Sequence, residues 1–350
     1  MKRRLLTSAG AAAAILAIAP SVAGAATHTV FAGGDGVVRN APKQFSPNAF
    51  LRNTITIFVG DTVRWRFRGF HTVTVPARGK EPPPFVVARG SRVSGVRDAA
   101  GQPFWFNGRL PVLAFNPRAA APTRGSTYDG SSFRNSGLPQ GQNPRPYSLR
   151  FTRAGRFDYY CAVHPGMEGH VRVVSAPARI ETEASNRRRA DSELAALVQQ
   201  ARAAAAVPPR GANIVDLGRA PRGQRFTIDR FFPSRIRARV GRPVRFTMAG
   251  QNTTEIHTVT VGPVSRRRLP FANSRGVINP MAAYPSDPPP ALPPYTGSNH
   301  GNGFLNTGVM DNDRESDNPA AASVTFAAPG TFRLKCLVHD GMDATVTVTP

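Results

Sequence analysis

A seven-residue pattern, Cys-x-x-His-x-x-Met, occurs twice in this 350-residue chain, at Cys161 to Met167 and at Cys336 to Met342, and it uses both of the chain's cysteines. With seven histidines and six methionines available, composition alone would give a cysteine His three places on and Met six places on about once in three thousand trials. Counting back from each cysteine, Phe157 matches Phe332, Gly155 matches Gly330, Phe151 matches Phe326 and Leu149 matches Val324, with nothing inserted. The chain therefore reads as two copies of one unit, and the fold has to suit that unit.

The unit reads as β structure. Leu149 and Phe151, then Phe157, Tyr159 and Cys161, share one face by period-two alternation about a Gly-containing turn, as do Val324, Phe326, Phe332, Leu334 and Cys336. Further upstream, Phe133 to Leu138 parallels Phe304 to Val309, and Ile55 to Trp65 parallels Ile236 to Phe246. Short strands with frequent Gly and Pro predict an antiparallel sandwich or small barrel in each copy. Between the copies, Ser185 to Ala206 carries Leu194, Leu197, Val198 and Ala201 at helical spacing before Pro208 and Pro209. It is expected to be an amphipathic connector that packs this stripe on one domain. Residues 77–127 and 263–294 read as long Pro-rich loops, either ordered lids or decoration.

A thiolate, an imidazole and a thioether on one short loop are donors that select copper, and a second histidine completes a His2Cys site with a weak axial Met. His71 opens the segment His-Thr-Val-Thr-Val in the first copy and His257 opens the identical segment in the second. The competing readings are a disulfide between the two cysteines and methionines that merely fill a core. Neither accounts for the shared His and Met spacing.

With these ligands in view, each copy resembles a plastocyanin- or amicyanin-like cupredoxin, over roughly residues 46–75, 128–174, 231–262 and 295–348. The short Cys-to-Met loop is most similar to that of amicyanin. The resemblance implies two Greek-key β-sandwich domains in tandem and two type 1 copper ions. One would be held by His71, Cys161, His164 and Met167, the other by His257, Cys336, His339 and Met342. It also implies one-electron transfer, with His164 and His339 reaching the surface as the exit for the electron. The sequence departs from the family where asparagines often stand, having Phe67 and Thr72 in the first copy and Met248 and Thr258 in the second. Tyr159 and Tyr160 precede the first cysteine, whereas Lys335 precedes the second and Asp340 and Asp343 flank its loop, so different reduction potentials are expected.

An enzyme is disfavoured by histidine supply. A trinuclear copper cluster needs His-x-His pairs, and there are none. A nitrite reductase has a histidine directly before the copper cysteine, where this chain has Tyr160 and Lys335. His28, His170 and His300 are left over, and no catalytic residues are assigned. A copper capture or storage protein is the other alternative, as is a divergent two-domain copper enzyme.

Residues 1–25 read as an export leader: Lys2, Arg3 and Arg4, an apolar stretch, then Ala23-Gly24-Ala25 as a cleavage site. Sec and twin-arginine routes both remain open. Removing the leader takes three positive charges and leaves +21 of the +24 net charge. That field suits an acidic redox partner or an anionic envelope surface, while scattered arginines and export argue against nucleic acid. The expected chain is exported, periplasmic or secreted, without a transmembrane segment. It has an all-β fold: a first domain at 26–176, a helical linker at 177–212 and a second domain at 213–350.

Overall fold

The computed structural model describes residues 24–33, 38–141, 144–175, 179–251, 255–264 and 269–350; the predicted leader up to residue 23 lies outside them. One five-stranded sheet runs in the order Phe50–Leu51, Thr27–Ala32, Thr62–Phe67, Tyr147–Phe151, Thr127–Tyr128. A second runs Arg134–Asn135, Thr74–Val75, Gly155–Tyr160, Glu168–Val174, Thr54–Phe58. Further along the chain, Phe231–Phe232, Ile214–Leu217, Pro243–Thr247 and Ala321–Thr325 repeat the order of the first sheet without its last strand. Leu305–Asn306, Thr260–Val261, Gly330–Lys335, Asp343–Thr349 and Arg235–Arg239 repeat that of the second. The molecule is thus all-β with few helices, each half a sandwich in which the chain crosses repeatedly between the two sheets in Greek-key fashion and ends in a hairpin within one of them.

Period-two alternation builds these sandwiches. Along Thr62–Phe67, Val63 and Trp65 are buried while Arg64 and Arg66 are exposed, and along Arg235–Arg239 only Ile236 and Ala238 are buried. Trp65, Leu149, Phe151, Tyr159, Cys161 and Met167 share one buried cluster. Phe246, Val324, Phe326, Leu334, Cys336 and Met342 share its counterpart. The cysteines end inward rows as expected, although Phe332 is only half-buried.

Two expectations need correction. The sheets are mixed rather than antiparallel: Thr27–Ala32 runs parallel to Thr62–Phe67 and Thr54–Phe58 parallel to Glu168–Val174, as do their counterparts in the second half. Strands that cross to the opposite sheet and back return in the same direction, which no hairpin does. The helix, Glu183–Ala206, does not pack on one sandwich alone. Ala190, Leu197 and Ala201 share a cluster with Phe31 and Leu51 of the first and with Phe226 and Ile228 of the second. Among the described residues of the long loops, Val86–Arg92 and Pro111–Phe115 form a hairpin, and Phe104 and Phe106 of one pack with Leu269 of the other and with Phe304. Trp105 Nε1 donates to Pro285 O at 2.9 Å and Tyr284 Oη to Pro111 O at 2.6 Å, tying one loop to the other. Phe45–Ser46 also pairs antiparallel with Thr227–Ile228, so the two sandwiches face one another across a small ribbon.

Candidate metal centres

Each ligand loop is a tight turn closed by its own backbone. Cys161 N–H donates to Met167 O at 2.9 Å and Met167 N–H to His164 O at 3.0 Å. In the second loop Cys336 N–H reaches Met342 O at 3.0 Å and Met342 N–H reaches His339 O at 3.4 Å. These turns bring His164 back over Cys161 and His339 back over Cys336. Nδ1 of His71 and Nδ1 of His164 stand 3.1 Å apart, and the Cys161 sulfur is 3.9 Å from the first and 3.5 Å from the second. In the other half the imidazole separation is again 3.1 Å, and the Cys336 sulfur is 3.8 Å from both His257 and His339. A point equidistant from all three donors of either triangle lies about 2.1 Å from each, and metal–His and metal–Cys bonds are about 2.0–2.3 Å. Both donor sets therefore fit a single metal ion. Met167 and Met342 are buried in the same clusters as their cysteines.

The threonines beside the upstream histidines tie the ligand segments together. Thr72 N–H donates to the Cys161 sulfur at 3.4 Å and Thr72 Oγ1 accepts from Ala162 N–H at 2.7 Å. Thr258 does the same for Cys336 at 3.4 Å and Leu337 at 2.8 Å. Asn135 accepts from Thr74 Oγ1 at 3.0 Å while its amide donates to the carbonyls of the short helix Pro117–Ala120. Asn306 repeats this with Thr260 and Pro280–Ala283. Each histidine strand is thereby fastened to a long loop. Behind the rings, Gly33 and Gly218, both at positive φ, let the backbone lie against Nε2 of His71 and of His257.

Electrostatics separate the two sites. Burial holds His71 down to about 4, so its imidazole stays neutral and available as a ligand throughout the neutral range. His164 is also pushed well down, by burial and then by the imidazoles of His71 and His339. Burial pushes the Cys161 thiol up. In the second site burial again opposes charge, but it is outweighed. Hydrogen bonds from His257 and His339 hold Cys336 well below the usual thiol range, and His339 rises to about 9 under Asp229, Cys336 and Glu255. Asp229 and Glu255, which help to raise His339, are a carboxylate pair with no counterpart in the first half. Asp229, Glu255 and His257 offer ligand atoms within 4.8 Å of one another, and Gly69 and Asn48 occupy the matching positions.

The six His and Cys residues expected as ligands thus gather as two groups, each on its own sandwich, and Met167 and Met342 lie in the same core clusters as their cysteines. The three remaining histidines do not join them. His28 faces Asp61 at 3.0 Å, His170 faces Asp158 at 2.6 Å, and His300 lies between Asp98 at 3.2 Å and Asp287 at 3.3 Å. His164 and His339 are both half-buried and line one chamber of about 940 Å³. That chamber was not legible from either copy alone. Gly33 and Gly218, by contrast, end equivalent strands, and the pairing of Asn135 with Asn306 stands in the repeated segment itself. Asp229 and Glu255 occur in one copy only, so self-comparison gives no signal for them.

No family model matches the chain, and no curated protein matches it. Among solved structures, the reduced state of an amicyanin mutant is 20% identical, with a TM-score of 0.21, over 42% of this chain and 82% of that one. The Cu(I) form of another amicyanin mutant is 21% identical over 44% of this chain and 87% of that one, with a TM-score of 0.21. Oxidised plastocyanin from Dryopteris crassirhizoma is 19% identical over 39% of this chain and 99% of that one, also with a TM-score of 0.21. Each alignment spans less than half of the chain.

Proposed function

We propose that the chain is an exported electron carrier with two mononuclear type 1 copper centres. His71, Cys161, His164 and Met167 hold one ion in a domain at 26–176. His257, Cys336, His339 and Met342 hold the other in a domain at 213–350, with 177–212 as the connector. The observation that carries this reading is the pair of matching His–Cys–His triangles, with edges of 3.1–3.9 Å in one and 3.1–3.8 Å in the other. Copper in such a site exchanges one electron between Cu(II) and Cu(I) with little change of geometry. The protein's part is to hold that geometry. The threonine N–H groups steady the sulfurs, burial keeps water away, and the closed Cys-to-Met turns fix the loop histidines. The strong positive charge favours an acidic redox partner or an anionic envelope surface.

Metal analysis of copper-loaded protein tests the reading directly. Two coppers per chain and an intense blue colour that a mild reductant bleaches reversibly are expected. Cys161→Ser and Cys336→Ser should each leave one copper, and the double variant none. A colourless protein holding only Cu(I) would favour copper capture, and oxidase or nitrite reductase turnover would favour an enzyme.

A further inference from the structure

One outer face of the second sandwich carries arginines that the matching face of the first lacks. Along Arg235–Arg239, Arg235, Arg237 and Arg239 are exposed while Ile236 and Ala238 are buried. Asp343–Thr349 lies between this edge strand and Gly330–Lys335, with Arg235 paired to Thr345 and Thr345 to Arg333. Successive arginines of the edge strand therefore stand about 6.5 Å apart, and Arg333 faces Arg235 at about 10 Å across a column of threonines, Thr345, Thr347 and Thr349. Arg242 follows in the next turn and lines, with Arg237 and Arg239, a recess of about 270 Å³. Arg235 and Arg333 line another of about 370 Å³, together with the hydroxyl-bearing Ser234 and Thr345. Among the described residues none of these five guanidiniums makes a hydrogen bond or ion pair, and the carboxylate at the rim, Asp343, is matched by Lys335 at 2.8 Å.

The fold does not require this charge. In the first sandwich, whose sheet has the same strand order, Thr54, Thr56 and Phe58 stand where Arg235, Arg237 and Arg239 do, with Asp61 in place of Arg242 and Asp158 in place of Arg333. Asp158 is itself paired, with Arg156 at 3.2 Å and His170 at 2.6 Å. Protection of an open sheet edge would account for charges on the edge strand, but not for Arg333 two strands further in. Uncompensated cations gathered on one face attract an anion, and planar guanidiniums match phosphate oxygens two at a time. The two recesses lie along one strand, with about 13 Å from Arg235 to Arg239, so a chain of phosphates reaches both and a single phosphate does not. The outward residues of these three strands include no aromatic ring on which a base could stack and no long apolar side chain to enter a bilayer. They offer charge and hydroxyls alone, which suits a polymer that is phosphate throughout.

We propose that this face binds a linear polyphosphate chain laid along Arg235–Arg239, with phosphates on Arg235 and Arg333 in one recess and on Arg237, Arg239 and Arg242 in the other. The proposal makes specific the anionic partner of the proposed function, and it rests on the positive charge in that reading rather than on its copper.

The test is titration of the full chain, its copper content recorded, with long-chain inorganic polyphosphate, orthophosphate, poly-L-glutamate and phosphatidylglycerol vesicles. Polyphosphate should bind tightest, with an affinity that falls as salt rises, and orthophosphate should bind weakest. Arg235→Gln, Arg237→Gln and Arg239→Gln together should weaken polyphosphate binding about tenfold or more and flatten its salt dependence. Arg64→Gln, Arg156→Gln and Arg172→Gln on the first sandwich remove the same charge and should leave the affinity nearly unchanged, with circular dichroism and melting curves verifying that both triple variants fold. Absence of polyphosphate binding overturns the proposal. So does an equal loss in the two triple variants, which would make the attraction a property of net charge alone. Poly-L-glutamate or vesicles binding as tightly as polyphosphate would overturn it as well, in favour of an acidic protein or a bilayer. Neither triple variant alters a candidate copper ligand, so polyphosphate binding without copper uptake sinks only the copper reading and the converse only this one.

Discussion

At Gly33 the backbone stands at φ 79°, and a Cβ there would lie 2.5 Å from Nε2 of His71; Gly218, at φ 68°, stands at the same 2.5 Å from Nε2 of His257. Any other residue pays about 1–2 kcal/mol for the left-handed backbone alone and must also push the imidazole away from its cysteine. Gly33→Ala is therefore expected to lower copper content from two to one per chain, with Gly218→Ala emptying the other site. Two tightly held coppers in either variant would show that the rings tolerate the displacement. Tyr128 tests the alkaline limit. Burial, then the charge of Asp129, pushes its hydroxyl up to about 12. The unfolded chain therefore loses that proton first. The stability this represents is whole below pH 10 and drains away as pH rises through 12, by at most about 2–3 kcal/mol. Melting temperatures followed from pH 8 to 12 should fall across that window, and less steeply in Tyr128→Phe.

Glu183–Ala206 behaves as a wedge between the sandwiches. Thr182 caps its first turn by accepting from Ser185 N–H at 3.2 Å, and Arg219 closes the far end by donating to the Val207 carbonyl at 2.6 Å. Its short side chains let it lie close, with Ala190 and Ala201 almost wholly covered and Leu197 4% exposed. Removing the Leu197 side chain would leave a cavity bordered by both halves, so Leu197→Ala should cost about 2–4 kcal/mol. The denaturant midpoint should drop with an unchanged slope. A loss under about 0.5 kcal/mol would mean that the helix is a tether rather than part of the core.

For the whole molecule, the arrangement of the halves matters more than the content of either. Because Phe45–Ser46 pairs with Thr227–Ile228, the Cys-to-Met loops of the two sandwiches look into one chamber. Two Cu(II) ions held there should broaden each other's spin-resonance lines, and Cys336→Ser should sharpen the remaining signal. Identical linewidths in the two proteins would place the centres too far apart to exchange electrons directly. The sequence by itself determined the two candidate donor sets, the β character and the helix, because donor chemistry, strand alternation and helical spacing are local, the first two here written twice. It supplied His71 and His257 only through the repeat, and Cys161 and Cys336 as the ends of inward rows. The face-to-face placing of the sandwiches, the helix wedged across both and the acidic floor of the chamber came from tertiary structure alone. Asn48 meets Glu255 across 207 residues of sequence, and Asp229 and Glu255 have no repeat partner to betray them. Contacts of that span are fixed by how two surfaces pack, which no periodicity along the chain records.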